Sequence, residues 1–537
     1  MASIHPDIVE LSNLAILAYR EGRTADALSL FERALGLAPH NINILGAYCQ
    51  VLRENGRTVE ALNHFLRAMV ADPRNAVLAN AVGVCFQESG NRAKAAEYYL
   101  RAMTIAPSSA EAHNNLGVLL LDEKNSREAI PLLQQAIALD PTYSAAYNNL
   151  AISHRDQLEY YESIAAFRRA LELKPGDAGI TAGLGEVLGL IYDETAESYL
   201  RRAVEIEPGN PEHHWNLAIE ILKRGKYLDG WNEYEWRWKR VSSQETRRPF
   251  EQPSWSNQPG QEIRGQNILL HAEQGFGDTF QMLRYVPQVL DLGAHVILEV
   301  PQPLKSIVSL YVESTHEDSR IQDIRVIAAG EPLPSFDWHV PMMSLPHAFG
   351  STLDTVPPPL RLTPAAERPQ NETLRIGLCW AGNSIHVRDR ERSLPLELLR
   401  PLFSIPHCTF VSLQVGPEAQ QIAACQLPLE QPVLPDFVAT ANLLDTLDLV
   451  ITVDTAVAHL AASQGVSTWL VLHHVADWRW LRPPGFPGAR EPNPWYPEAR
   501  IFRSSMLPRQ PGPEGAWGPT IAAVAEHLRA LSVAKQS

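Results

Sequence analysis

Ala95-Ala96-Glu97-Tyr98-Tyr99-Leu100-Arg101-Ala102-Met103-Thr104-Ile105-Ala106-Pro107 reads as one amphipathic helix with its stop written in. Tyr99 and Ala102 share a helix face, and Pro107, which lacks an N–H, cannot extend the hydrogen-bond ladder. The same three positions recur in both directions at a period of 34 residues. Phe31, Phe65, Leu133, Phe167 and Leu200 stand in the place of Tyr99. Ala34, Ala68, Ala136, Ala170 and Ala203 repeat Ala102, and Pro39, Pro73, Pro141, Pro175 and Pro208 repeat Pro107, the last one residue early. Small residues let helix axes approach closely, so each period is a pair of packed helices and residues 1–240 form an α-solenoid. Gly22, Gly56 and Gly90 mark the turn inside the early pairs, and Lys124 and Leu158 take that place later.

This period and residue pattern are those of tetratricopeptide repeats. A seventh, atypical unit starts at His214-Trp215-Asn216-Leu217 and continues through Gly225, Tyr227, Trp231, Tyr234, Trp236 and Trp238; its aromatics are expected to cap the stack by packing. On the first helices, Asn80, Asn114 and Asn148 recur at the repeat period, beside a second row of Asn115, Asn149 and Asn216. First helices line the concave face, where an amide can pair with both N–H and C=O of an extended peptide. Caps or solvated side chains are the alternative use. The second row resembles the asparagine ladder of O-linked N-acetylglucosamine transferases, although Ala81 and Gly183 interrupt it. That resemblance implies a protein or peptide acceptor in the repeat groove.

At 537 residues, 45% of them hydrophobic, the chain can build two to four domains. A net charge of −15 argues against a nucleic-acid partner, which calls for a basic face. Neither a signal peptide nor an 18-residue apolar run is legible, so a cytoplasmic protein without a membrane span is expected. Cys49, Cys85, Cys379, Cys408 and Cys425 form no C-x-x-C pair and read as reduced thiols with no metal site.

Past a polar linker at 241–266 the pattern changes to alternating strands and helices. Asn267–His271, His295–Val300, Asp323–Ala328 and Trp338–Val340 read as strands of a Rossmann-like domain over 267–355. A Pro-rich linker, 356–372, leads to a second over 373–537, with strands at Arg375–Trp380, Thr409–Gln414, Asp448–Val453 and Thr468–Leu472 and a closing helix at 519–533. Ligands of open α/β sheets bind beyond the carboxyl ends of strands, so the site is expected in a cleft between the two domains.

Three loops at such ends carry candidate chemistry. In Gly275-Phe276-Gly277-Asp278 the carboxylate can take a proton from an attacking hydroxyl, or can cap the helix. The loop from Trp380-Ala381-Gly382-Asn383 to Arg388-Asp389-Arg390-Glu391-Arg392-Ser393-Leu394-Pro395 can aim a guanidinium at phosphate, or be a solvated turn. In Val453-Asp454-Thr455-Ala456-Val457-Ala458-His459-Leu460 a helix N-terminus offers N–H groups to an anion, while Asp454 can be an ordinary cap and His459 a core residue.

Residues 267–503 resemble the two-domain GT-B glycosyltransferases related to lipopolysaccharide heptosyltransferases. The likeness lies in Gly277-Asp278 with Pro287, in Arg392 with Pro395, and most of all in Asp454-Thr455-Ala456-Val457-Ala458-His459-Leu460. It implies Asp278 as catalytic base and Gly277, Gly382, Asn383, Arg388, Arg392, Gln414, Asp454, Thr455, Ala456 and His459 as the donor-binding set. The sequence departs from that family at Arg392, where Lys is common, at Ala456, where Gly is common, and at His473-His474-Val475-Ala476-Asp477-Trp478-Arg479-Trp480, which replaces a Gly-rich loop. Joined to the repeats, this half resembles bacterial tetratricopeptide glycosyltransferases, some of which modify proteins, including flagellins.

The implied reaction is a metal-independent single displacement from a nucleotide sugar that inverts the anomeric carbon, with no cofactor; no D-x-D triplet is present to hold a metal at the phosphates. Leaving-group charge falls to Arg392 and the helix start at Thr455. Two other readings stand beside it: a scaffold whose degenerate transferase half only binds a nucleotide sugar, and a transferase acting on a lipid or polysaccharide.

Overall fold

The computed structural model describes residues 6–39, 41–244, 247–315, 318, 320–365, 372–383, 389–483, 485, 493–504 and 515–535. The chain divides after Leu188 into two compact units.

The first unit is the repeat stack. First helices Pro6–Arg20, Ile42–Glu54, Ala76–Glu88, Ala110–Asp122 and Ser144–Asp156 alternate with second helices Thr24–Leu37, Thr58–Ala71, Arg92–Ile105, Ser126–Leu139 and Tyr160–Leu173. The periodic residues do what their spacing demands. Phe31, Tyr99, Leu133 and Phe167, like Ala34, Ala102, Ala136 and Ala170, are almost wholly buried. Close approach is visible at Gly83, where a Cβ would stand 2.6 Å from the Tyr99 ring, and at Gly117, where it would stand 2.9 Å from Leu133. The turn between paired helices is left-handed at every repeat. Gly22, Gly56 and Gly90 have φ near 78°, 75° and 78°, and Lys124 and Leu158 hold the same turn at 59° and 63° despite their Cβ atoms.

The second unit begins at Gly189, so helices Ala196–Ile206, Pro211–Lys223 and Tyr227–Tyr234, which continue the repeat pattern in sequence, fold together with the sheets. Strands β1 (Asn267–His271), β2 (His295–Val300), β3 (Ile324–Ala328) and β4 (Trp338–Pro341) form a parallel sheet in the order β3-β2-β1-β4. A second parallel sheet runs β10-β9-β8-β5-β6-β7, from β5 (Leu374–Cys379), β6 (Cys408–Ser412), β7 (Leu429–Glu430), β8 (Leu449–Thr452), β9 (Thr468–Leu472) and β10 (Ala499–Arg503). The closing helix spans Gly518–Ala534. Sequence reading finds eight of these strands and misses β7 and β10. Both are edge strands, with half-exposed residues in place of an apolar run.

One continuous apolar core joins the two sheets to the aromatic segment. It includes Leu222, Tyr227, Trp231 and Tyr234, Ile268 and Leu270 of β1, Val450 of β8, Leu470 of β9, and Trp478, Trp480 and Trp495. Trp231 and Trp478 meet edge to face with centroids 5.1 Å apart, and Tyr227 lies 5.8 Å from Trp495. These tryptophans, no more than 2% exposed, serve as packing area. Chain order reverses at β1, which lies between β2 and β4, and at β5, which lies between β6 and β8. Such reversals open a crevice at the strands' carboxyl ends.

Candidate functional site

The loops after β1, β5 and β8 all leave from those reversals. After β1, Gly275 is the N-cap of helix Phe276–Met282, and its N–H donates to Asp278 Oδ2 at 2.8 Å. Asp278 thus does perform the capping role. Its other oxygen, Oδ1, accepts from Arg479, which lies beyond the end of β9. Gly277 allows the contact between this helix and helix Ala456–Ser463, since a Cβ there would fall 2.6 Å from His459 Cδ2. The carboxylate read as a base and the Asp454–His459 turn are therefore neighbours.

Arg479 is the hub of the arrangement. Its side chain is 9% exposed. It donates through Nε to Gln281 Oε1, through Nη1 to Asp477 Oδ1 at 2.6 Å and through Nη2 to Asp278, and its guanidinium stacks 4.5 Å from the Trp478 ring centroid. Sequence reading names Arg479 only within the loop that departs from the heptosyltransferases and gives it no role. The signal for one is an arginine set between two tryptophans, since a guanidinium drawn into a buried aromatic segment has to be paired.

Within the β8 turn, Thr455 occupies the N-cap position of helix Ala456–Ser463 without a side-chain capping bond, and its Oγ1 lies 3.2 Å from Thr452 Oγ1. Burial, and then the neighbouring Asp477, push the Asp454 carboxyl up to about 6, against the lowering effect of Arg479 and Arg392. His459 is buried; its Nδ1 bonds the Tyr496 hydroxyl at 2.9 Å, and its Nε2 stands 3.8 Å from Asp454 Oδ1. Burial first, then Arg479 and Arg284, push its pKa well below the ordinary value, so the ring is neutral and packed. Ala456 opens the helix half-buried, and Val457 to Leu460, which follow it, are buried.

The β5 loop folds on itself. Gly382 N–H donates to Ser393 Oγ at 2.9 Å, and a Cβ on Gly382 would collide with Asp389 Oδ1 and with Arg392 Nε at 2.7 Å. Arg392 donates to Asp389 at 3.0 Å, and its side chain is 27% exposed. Asn383 is exposed. Arg388 lies outside the described residues. Gln414 is spent on backbone: Oε1 accepts from Trp380 and Ala381 N–H at 3.1 and 2.9 Å, and Nε2 donates to Ala381 and Val415 carbonyls, both at 3.1 Å. It shapes the loop and offers no free amide to a ligand.

The asparagines of the repeats form a chain of their own. Asn148 donates to Asn149, Asn149 to Asn114 at 2.9 Å, Asn114 to Asn115, Asn115 to Asn80 at 3.1 Å, and Asn80 to Glu111 at 3.0 Å. The two rows expected from sequence are thus one zigzag that stitches three successive repeats. Asn80 and Asn114 are 4% exposed, whereas Asn115, Asn148 and Asn149 remain partly open. Asn216 belongs to the second unit, on helix Pro211–Lys223.

No group of three His, Cys, Asp or Glu side chains placed to hold a metal occurs among the described residues, and no described helix is long and apolar enough to cross a membrane. Family models of tetratricopeptide repeats match residues 18–85, 83–144 and 115–178. The chain is 26% identical over 379 residues to Protein FlbA of Caulobacter vibrioides, an alignment covering 64% of this chain and 59% of that protein. It therefore spans about three-fifths of that relative's length. Among solved structures it is similar to the APC/C hetero-tetramer Cut9–Hcn1 (18% identity, 40% of this chain and 44% of that one, TM-score 0.37). It is also similar to a thermophilic tetratricopeptide protein of Thermus thermophilus (22% identity, 34% and 98%, TM-score 0.31). Residues 18–178 are accordingly tetratricopeptide repeats, followed by an α/β region of parallel sheets.

Proposed function

We propose that the second unit is a metal-independent, inverting glycosyltransferase of GT-B type, and that the repeats recruit its protein acceptor, with flagellin as a candidate. The observation that supports this most is the meeting of Asp278, from one sheet, with the Asp454-Thr455 turn, from the other, around Arg479. In this reading the donor's phosphate lies against the first turn of helix Ala456–Ser463 and the part-exposed Arg392. The acceptor hydroxyl takes the place of Arg479 at Asp278 Oδ1 and gives up its proton there. Its oxygen attacks the anomeric carbon, and the bond to the nucleotide's phosphate oxygen breaks with its electron pair. Gly275 N–H and Arg479 hold the carboxylate aimed until then.

One feature favours a second reading, in which this half is a binding scaffold: both oxygens of Asp278 are engaged in internal bonds. Incubating the full chain with labelled nucleotide sugars separates the two. Transfer to a protein, lost when the repeats are deleted while donor hydrolysis persists, supports the transferase with a protein acceptor. Binding with neither hydrolysis nor transfer supports the scaffold.

A further inference from the structure

The loop carrying Asp278 is gripped from behind. Arg237 lies in the 3-10 turn Glu235–Lys239 that ends the aromatic segment, and its side chain is 4% exposed. Nη2 donates to Glu273 Oε1 at 2.8 Å and to Ser344 Oγ at 2.7 Å; Nη1 donates to Glu235 Oε1 at 2.7 Å and to the Tyr234 carbonyl at 3.3 Å. Nε alone has no partner. The next loop residue, Gln274, donates to the Tyr234 hydroxyl at 2.9 Å. Glu273 and Gln274 are thus both fixed to the aromatic segment, and Gly275, which follows them, donates to Asp278.

We propose that Arg237 is a positioning residue for Asp278, acting through Glu273 to set the loop between β1 and the helix that bears the carboxylate. The inference rests on the transferase reading of Asp278. Geometry makes the hold specific: a planar guanidinium can serve four acceptors on three separate segments at once, and an ammonium cannot reproduce that fork. The charge makes it necessary. Glu273 is 5% exposed, and burial pushes its carboxyl up to about 7 although Arg237 faces it; Glu235 and Asp278, also facing it, add to the rise. Without the guanidinium, Glu273 either takes a proton or moves toward water, and the bond that sets the loop is lost.

The test compares full-length wild type with Arg237→Met, Arg237→Lys and the double variant Arg237→Met/Glu273→Gln. Two readouts are needed: sugar transfer at saturating donor, and amide hydrogen exchange over residues 275–279 without donor. A displacement of about 1 Å at a reacting group costs on the order of a hundredfold in rate, so kcat of Arg237→Met should fall by about that factor while the donor KM stays within roughly threefold. Exchange over 275–279 should accelerate, and Arg237→Lys should fall between the two. The double variant buries no unpaired carboxylate, so it should recover wild-type stability yet keep the low kcat and fast exchange. Wild-type kcat and exchange in the double variant would overturn the proposal by reducing Arg237 to a neutralising charge, and so would unchanged readouts in Arg237→Met. If wild type transfers no sugar, the transferase reading fails, and exchange still shows whether Arg237 holds the loop.

Discussion

At Asp454 and Glu273, burial acts on ionised carboxyls, and the consequence for stability has a definite sign. Their folded-state pKa values, about 6 and about 7, stand above the 3.8 and 4.5 of the free groups. The native state therefore keeps its protons longer than the unfolded chain, and stability falls as pH rises from 3.8 through about 6 for Asp454 and from 4.5 through about 7 for Glu273. Relative to Asp454→Asn, the urea midpoint of the wild-type second unit should lose ground as pH rises from about 4 through about 6, because only the wild type must give up this buried proton. An Asp454→Asn variant whose midpoint follows the wild-type pH dependence throughout would contradict the burial assigned to this carboxyl. Proton-holding groups of this kind cluster at functional sites, and here Glu273 faces Asp278 while Asp454 faces Arg479, the partner of Asp278.

Among the elements, the asparagine zigzag and the strand-end loops show what sequence can and cannot deliver. The repeat helices are legible because Tyr99, Ala102 and Pro107 and their counterparts each have a single geometric use. The central strands are legible because they are buried on both faces, and the edge strands β7 and β10 are not. The asparagines were found, but not their bonding, since a row on a helix says nothing of whether the amides face a ligand or one another. Asn114→Ala should therefore destabilise the first unit by about 1–3 kcal/mol, because it strands the Asn149 amide and the Asn115 carbonyl. Chemical denaturation of the first unit measures this, and an unchanged midpoint would mean that the zigzag is idle. Asp278, Asp454 and Arg392 can be picked out by motif; for Arg479 the flanking tryptophans signal burial, but not its partner, which lies 201 residues away in sequence.

For the whole molecule, the compact unit that carries the site starts at Gly189, ahead of the sheets. Tyr227, Trp231 and Tyr234 share a core with Trp478 and Trp495, and Arg237 bonds Glu273 in the loop that leads to Asp278, so the last repeat-like helices are part of the candidate site's foundation. A fragment of residues 189–537 should be folded and monodisperse. One beginning at 241 should aggregate, since each uncovered aromatic exposes about 150–250 Å². Size-exclusion chromatography with near-ultraviolet circular dichroism decides the matter, and a well-folded 241–537 fragment would restore the boundary that the sequence suggests.

The most direct test of the account is the turnover of Asp278→Asn set against its donor affinity. With a nucleotide sugar that the wild type consumes, kcat should fall on the order of 10²–10⁴-fold while the donor Kd changes little, because in the proposed reaction the lost group takes a proton and does not hold the phosphate. Wild-type turnover in that variant would contradict the account, leaving Asp278 as a helix cap and a partner of Arg479 and nothing more.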